Sequence, residues 1–182
     1  MKYPSLSQLE SEQLQAINAA KVQGKALFHR DQITYIIDEN PRGSVVMAQN
    51  QEGKEAGYIA TSPHWKHYAI EVPPQFRNMW IGKILLLTKQ ALDGILMFDW
   101  TDLHSHIFFL MRRGYIPVSK MMDYNTFSEL EVEELQLLIE KLKLFRMQGF
   151  PHGLPEDISP TVVQLKYSPA KAKKLIREYG LQ

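Results

Sequence analysis

The chain has 182 residues, of which 45% are hydrophobic and 23% are charged, proportions that suit a globular domain with a sizeable core. The formal net charge is +1, so no global field favours nucleic acid or a membrane surface as a partner. Because the chain contains no cysteine, disulfides, zinc–thiolate sites and thiol nucleophiles are excluded. No apolar run reaches the length of a signal peptide core or a membrane span, so we expect a cytoplasmic protein.

The first 43 residues predict a helix followed by short strands. Residues 5–24 carry apolar side chains at helical spacing, Ser7 and Glu10 match a capping box, and Gly24 marks the end of the helix. Two short β-prone runs follow between residues 26 and 37, and a segment rich in turn-forming residues comes after them. This region contains no functional motif.

The pattern of residues 44–118 predicts the strands and helices at the centre of the fold. The runs at 44–49 and 56–61 flank a glycine-containing loop, which is the strongest hairpin signal in the chain, and residues 68–72 form a third strand. A helix, a buried strand, a short helix and another strand follow, and such strand–helix units predict a parallel segment. These four elements cover residues 81–92, 95–101, 105–113 and 115–122.

Residues 119–182 predict a C-terminal extension with a long amphipathic helix at 128–148, a strand at 161–167 and a basic helix at 169–179. We interpret the leucine stripe of the long helix as core, with a homodimer interface as the alternative. The whole pattern predicts one α/β domain over residues 1–182, with helices flanking a central mixed β-sheet.

One stretch combines spacing, composition and chemistry. The strand at 68–72 is broken by two prolines, a polar loop carries Arg77 and Asn78, and an apolar helix begins at about Ile81. Unpaired backbone N–H groups and the helix dipole converge at such a strand–loop–helix junction. The sequence therefore predicts an anion site at this loop.

The same stretch resembles a known motif. The residues from 72 to 85 follow the pattern V-x-P-x-x-R-x-x-G-x-G/A-x-x-L, which is motif A of the GCN5-related N-acetyltransferase (GNAT) superfamily, and the chain resembles a divergent member. Residues 109–115, Phe-Leu-Met-Arg-Arg-Gly-Tyr, are similar to a later segment of that family. The five positions of motif A that match are Val72, Pro74, Arg77, Gly82 and Leu85.

This resemblance implies a GNAT-like sheet splayed between its fourth and fifth strands, with acetyl-CoA or another acyl-CoA as co-substrate and no metal. The backbone of Ile70 and Val72 would pair with the pantetheine arm like an extra strand. The pyrophosphate would lie on the loop formed by Arg77, Asn78, Met79, Trp80, Ile81, Gly82 and Lys83.

Two positions depart from the family pattern. Trp80 replaces the first glycine of the motif, and its N–H can still serve the cradle if its φ is negative and its indole points away. Tryptophan is badly suited to a site that needs a positive φ or close approach to phosphate. Leu110 replaces the tyrosine that often protonates the departing thiolate in this family. These departures favour, as the alternative function, a catalytically degenerate binding or regulatory protein of the GNAT fold.

Direct transfer from a thioester to an amine needs a base but no covalent nucleophile. In the family the base commonly sits on the fourth strand, on the face of Val72, and strand alternation places Tyr68 on that face and Glu71 on the other. A tyrosine pKa near 10 suits a base poorly, whereas Glu71 has the better chemistry on the other face. For both residues a structural role is the preferred interpretation, and both remain catalytic candidates.

A second polar cluster follows the strand at 95–101. Asp102, His104 and His106 stand where ligand sites gather in parallel sheets, and we name His104 as a third catalytic candidate. The simpler interpretation is a helix-capping loop, and a metal site lacks a third ligand. The loop at 64–67, His-Trp-Lys-His, could shape an acceptor pocket, although an ordinary strand connection is the preferred interpretation.

The sequence thus predicts an acyl-CoA-dependent N-acyltransferase whose acceptor is an unidentified amine on a small molecule, peptide or protein. A third hypothesis is a regulatory protein that contacts nucleic acid through its basic C-terminus, although a solvated helix face explains that charge better. We therefore expect neither a nucleic-acid nor a membrane partner. The basic residues concerned are Lys166, Lys171, Lys173, Lys174 and Arg177.

Overall fold

The computed structural model describes residues 9–41, 43–61, 68–94, 98–101, 104–123, 126–148 and 162–181. The chain divides into two compact units, one from Pro4 to Leu96 and one from Met97 to Gln182 with the first three residues. Each unit contains one β-sheet with its own helices. The prediction that all 182 residues form a single domain stays a prediction.

The N-terminal unit is a five-stranded sheet with two helices. Its strands follow one another in chain order across the sheet, and every neighbouring pair is antiparallel. The elements are α1 (Ser11–Gln23), β1 (Lys25–Arg30), β2 (Ile33–Asn40), β3 (Gly43–Gln49), β4 (Glu55–Thr61), β5 (Tyr68–Glu71) and α2 (Ile81–Asp93).

The limits of α1 correct one prediction and confirm another. The helix begins at Ser11 rather than near residue 5, Glu10 is extended at the N-cap, and no side chain caps this end, so the predicted capping box is wrong. Gly24 ends the helix as predicted, with a left-handed φ of 79° and its N–H donating to the Ala20 carbonyl at 2.8 Å.

Two tight turns set the register of the sheet. Asp31 and Gln32 join β1 to β2 with φ values of 49° and 65°, as a two-residue hairpin turn requires. The predicted hairpin between β3 and β4 is confirmed, and the side chain of Asn50 accepts the N–H groups of Glu52 and Lys54 at 3.0 and 2.9 Å. Left-handed backbone conformations therefore explain the first turn, and local hydrogen bonds explain the second.

A buried polar cluster ties the last turn of α2 to the sheet. Lys89 is completely buried, and its ammonium lies 2.8 Å from the Asp93 carboxylate and donates to the backbone carbonyl and hydroxyl of Ser44 on β3. Asp93 also accepts the Ser44 hydroxyl and, at 2.8 Å, the hydroxyl of Thr61 on β4. Burial lowers the pKa of Lys89, and the Asp93 carboxylate opposes that shift.

The C-terminal unit has a four-stranded sheet in the order β6-β9-β7-β8, again with every described pair antiparallel. Its elements are β6 (Phe98–Thr101), α3 (His104–Met111), β7 (Tyr115–Asp123), β8 (Thr126–Glu129), α4 (Val132–Gln148), β9 (Val163–Tyr167) and α5 (Pro169–Glu178). Throughout the described ranges, no helix is both long and apolar enough to cross a membrane.

The α/β class is confirmed, but the mixed sheet with a parallel centre is wrong for the described ladders. The strands β6 and β7 do run in the same direction on either side of α3, as a strand–helix–strand unit predicts. However, β9 lies between them and pairs antiparallel with both. A strand that returns from more distant sequence thus replaces the expected parallel contact.

The long C-terminal helix is also shorter than predicted. Residues 126–129 form β8, which pairs with β7, and the helix starts only at Val132. Of the predicted leucine stripe, Leu138 and Leu142 are buried, which confirms a core position for these two, whereas Leu130 and Leu135 are half-buried.

Candidate functional site

The path from β5 to α2 is fixed by local hydrogen bonds. Pro74–Phe76 form one turn of 3-10 helix, and the N–H of Arg77 donates to the Pro74 carbonyl at 3.2 Å. The guanidinium of Arg77 folds back, and its Nε donates to the Val72 carbonyl at 3.1 Å. The loop therefore leaves the strand in a defined direction, with Arg77 exposed beside it.

The backbone of the loop is left-handed at two residues. Asn78 has a φ of 66°, which asparagine tolerates well, and Trp80 has a φ of 63° and a ψ of 0°. The sequence analysis expected the Trp80 N–H to serve an anion cradle only if the φ of Trp80 were negative, and that condition is not met. Instead, Trp80 adopts the conformation that favours glycine, at the position where motif A has its first glycine.

Trp80 is also the N-cap of α2. Its carbonyl accepts the N–H of Ile84 at 3.0 Å, which closes the first turn, and no side chain caps this end of the helix. The first N–H groups of a helix have no partner within the helix, and the dipole makes this end partially positive. The uncapped helix N-terminus lies where the sequence analysis expects an anion site, and the anion site itself stays a prediction.

An open cleft of about 320 Å³ adjoins this end of α2. The indole of Trp80 is 63% exposed, and the Lys83 ammonium lies 5.0 Å from its ring centroid. Across the cleft, Arg30 forms an ion pair of 2.8 Å with Glu10. The lining residues are Arg30, Asp31, Trp80, Lys83, Ile84 and Leu87.

Arg30 was not predicted as a site residue because it lies about fifty residues before the loop. The only available signal was the break between two β-prone runs, which marks a turn but gives no indication of what the turn faces. The structure brings this turn to the start of α2, so two cationic side chains, Arg30 and Lys83, border the cleft.

The catalytic candidates on β5 have different surroundings. Tyr68 is only 2% exposed, so its side chain belongs to the core, whereas Glu71 is exposed on the opposite face of the strand. The alternation predicted from the sequence is therefore observed. Glu71 stands opposite Tyr58 on β4, and burial together with a hydrogen bond to the Glu71 carboxylate raises the pKa of Tyr58.

The Tyr58–Glu71 pair is a second feature that sequence analysis missed. The strand predictions alone could have identified this pair only if the register between β4 and β5 were known, because a shift of one residue moves every side chain to the other face. A bulge between Ala48 and Gln49 disturbs the register in the neighbouring ladder. No sequence feature indicated that bulge.

The predicted polar cluster at 102–106 is only partly described. Asp102 lies outside the described residues, as does the loop at 64–67, and His104 is the first residue of α3, with a side chain outside the description. Burial lowers the pKa of His106 to about 4, so this imidazole is neutral near pH 7. The cluster belongs to the C-terminal unit, whereas the loop at Trp80 belongs to the other one.

Leu110, at the position of the family tyrosine, is completely buried in α3. Its place in the core explains why an apolar residue stands there, and it leaves no side-chain proton donor at this position. Among the described residues, no group of three or more histidine, aspartate or glutamate side chains could hold a metal ion.

Comparison with known proteins adds no relative. No family model, no curated protein and no solved structure matches this chain. A functional argument must therefore come from the geometry and chemistry of the site itself.

Proposed function

We propose that the protein is an acyl-CoA-dependent N-acyltransferase that binds the coenzyme pyrophosphate at the loop from Arg77 to Lys83. One observation carries the proposal. The helix α2 begins directly after this loop with an N-terminus that no side chain caps, and such a helix end suits an anion like a pyrophosphate. The left-handed backbone of Trp80, whose side chain lines the adjoining cleft, counts against close approach of the phosphate at that residue.

One feature of the fold supports the proposal. Among the described strands, β5 pairs only with β4, so its other edge is available for an extended pantetheine arm beside Ile70.

The chemistry requires few groups. The amine nitrogen attacks the thioester carbonyl carbon, the new C–N bond forms, the C–S bond breaks, and CoA leaves as a thiolate that takes up a proton. Of the three catalytic candidates, Glu71 is the one with an exposed carboxylate in the described structure, and it would accept the amine proton. Tyr58, with its raised pKa, stays protonated beside it.

Calorimetric titration with acetyl-CoA and with CoA tests the binding step. We expect saturable binding, and we expect Arg77→Ala and Gly82→Trp to weaken it by about tenfold or more, because the first removes a charge and the second covers the helix N-terminus. Lys25→Ala is the matched control for the lost charge, since Lys25 is an exposed cation on β1.

Absence of binding at millimolar ligand would refute the acyl-CoA site. Unchanged affinity in both loop variants, with binding retained in the wild type, would place the ligand elsewhere on the molecule. Thermal unfolding of each variant separates a local effect from loss of fold, because a misfolded variant loses its cooperative transition.

A second candidate function is a GNAT-like binding or regulatory protein without transferase activity. The buried Leu110 and the buried Tyr68 favour it, because neither position offers an accessible proton donor or acceptor. Release of free thiol from acetyl-CoA in the presence of a panel of amines distinguishes the two functions. Release that falls in Glu71→Gln supports the enzyme, whereas tight binding with no release for any amine supports the alternative.

A further inference from the structure

The cleft beside Trp80 has the size and the lining of a small-molecule site. Its volume of about 320 Å³ lies at the lower end of the range for ligand pockets. Ile84 and Leu87 of α2 are apolar lining residues, and Trp80 and the turn at Arg30 and Asp31 also line it. All its lining residues belong to the N-terminal unit, so the cleft lies within one compact body.

The indole of Trp80 is the largest side chain in this lining, and it is 63% exposed. The Lys83 ammonium lies 5.0 Å from the ring centroid, so one face of the indole already accepts a cationic group. Because the lysine side chain is flexible, a flat ligand ring can displace it or lie on the opposite face. Trp80 therefore provides a platform on which an aromatic ring can stack.

Arg30 adds a second planar group to the same cleft. Its Nη2 lies 2.8 Å from the Glu10 carboxylate, and its Nε lies 3.6 Å from the Asp31 carboxylate. The N–H bonds of a guanidinium lie in the plane of the group, so these carboxylates engage its edge and leave its flat faces for stacking. The two ion pairs also restrict the side chain of Arg30 to one orientation.

We propose that this cleft binds the base of a nucleotide, with the base stacked on the indole of Trp80 and the guanidinium of Arg30 beside it. Indole rings and guanidinium planes are the groups on which proteins commonly stack bases. The charges around the cleft nearly cancel, because Arg30 and Lys83 are accompanied by Asp31 and Glu10. A neutral base fits such a lining better than an anion without a ring, and Lys83 supplies a cation for the phosphate of the nucleotide.

Two ligands contain a base of this kind. One is coenzyme A, whose adenosine would occupy the cleft, and in that case the inference rests on the proposed function. The other is a separate nucleotide, which needs no coenzyme at the loop. In both cases Trp80 binds the ring of the ligand, at a position where its left-handed backbone counts against close approach of a phosphate.

Calorimetric titration of the full chain with adenosine 5′-monophosphate tests the stacking. We expect saturable binding that Trp80→Ala weakens by about fivefold to a hundredfold, the range found when a stacking aromatic residue is replaced by alanine. Ribose 5-phosphate, which has the phosphate but no base, should bind more weakly than the nucleotide and should not respond to Trp80→Ala. The control Leu27→Ala, at a 56% exposed apolar position of β1, should leave both affinities unchanged.

Arg30→Lys separates stacking from charge, because lysine keeps the positive charge and loses the planar group. We expect this variant to weaken nucleotide binding by about fivefold and to leave ribose 5-phosphate unaffected. No saturable nucleotide binding up to about ten millimolar would overturn the inference. Equal affinity for the nucleotide and ribose 5-phosphate, or unchanged nucleotide affinity in Trp80→Ala, would overturn it as well.

Titration of the nucleotide in the presence of saturating CoA distinguishes the two sources of the base. Competition identifies the adenosine of the coenzyme, whereas simultaneous binding identifies a separate nucleotide. Nucleotide binding without any CoA binding would refute the proposed function and leave this inference intact, and CoA binding that does not respond to Trp80→Ala, with no nucleotide binding, would do the reverse. A cooperative melt of Trp80→Ala, and of Trp80→Gly as a second variant, confirms that a lost affinity does not reflect unfolding.

Discussion

At the scale of single residues, Trp80 combines a large aromatic side chain with a backbone conformation that costs an L-residue about 1–2 kcal/mol. Burial of the indole does not offset that strain energy, because the side chain is 63% exposed. Its identified contact is the cation–π arrangement with Lys83 at 5.0 Å, which is worth about 0.5–1 kcal/mol at an exposed site. The strain at Trp80 therefore marks a position where a property other than stability has determined the residue.

Replacing Trp80 tests this account of strain. We expect Trp80→Gly to unfold at higher urea concentration than Trp80→Ala, with a free energy of unfolding greater by about 0.5–1 kcal/mol, because only glycine accepts the positive φ without a steric penalty. Both variants lack the indole, so their comparison isolates the backbone. Equal stability of the two would mean that residue 80 is not left-handed in solution.

His106 gives the stability a predictable pH dependence. Burial lowers its pKa in the folded protein from 6.5 to about 4, so between these values the unfolded chain binds more protons at this site than the folded chain. Stability contributed by the neutral imidazole is thus complete above pH 6.5 and is lost as the pH falls towards 4. The shift corresponds to at most about 3 kcal/mol at pH 4.

Urea unfolding at a series of pH values measures this effect. We expect the wild type to lose more stability than His106→Asn between pH 6.5 and 4, since asparagine does not titrate. Both proteins share the titration of their carboxylates, so the difference between the curves reports the histidine. Parallel curves would show that the imidazole is solvated in the folded protein.

At the scale of secondary-structure elements, the last turn of α2 is held by charges and hydroxyls where apolar packing would be usual. Lys89 is completely buried, whereas the Asp93 side chain is 23% exposed. An uncompensated ammonium in the interior has no access to water, but an uncompensated Asp93 carboxylate keeps some hydration. The two partners therefore make unequal contributions.

We expect Asp93→Ala to destabilise the protein by about 3–5 kcal/mol and Lys89→Met by clearly less, because the second change removes the buried charge and leaves Asp93 with two hydroxyl donors. The double variant should cost less than the sum of the single changes. Denaturant unfolding of the three variants measures these differences. A larger loss for Lys89→Met would contradict this description of the cluster.

The sequence predicted the elements whose signals are local. Gly24 ends α1, a hairpin joins β3 to β4, and α2 starts after Trp80, because each feature depends on residues a few positions apart. The signals for the loop at Arg77 and for a helix start near Ile81 are equally local, and both were located correctly. The ligand of this loop stays a prediction.

The sequence could not reveal features that depend on distant partners. A lysine in a helix is usually exposed, and only the arrival of Ser44 from β3 gives the buried Lys89 ammonium partners outside its own helix. The start of α4 was placed too early because the acidic residues after Ser128 resemble a helix N-terminus, whereas pairing with β7 makes that segment β8. Tertiary contacts decided both cases.

At the scale of the whole molecule, a formal net charge of +1 conceals one strongly basic surface. The acidic and basic residues of α4 balance one another, whereas the exposed side of α5 carries Lys171, Lys173, Lys174 and Arg177. A near-neutral total can therefore include a helix face with a positive local potential. Composition alone excludes a global field but does not detect such a face.

The position of β9 has a consequence for how the molecule is made. The five strands of the N-terminal unit pair in chain order, so that sheet needs only short loop closures and can form as the chain leaves the ribosome. In the second sheet, β6 and β7 cannot complete their pairing before β9 is synthesised, some forty residues after β7 ends. Until then, both strands expose unpaired edges that can associate with other chains. We therefore expect nascent or truncated chains that stop before residue 163 to require chaperones, and the slow step of folding to be the insertion of the late strand between two early ones.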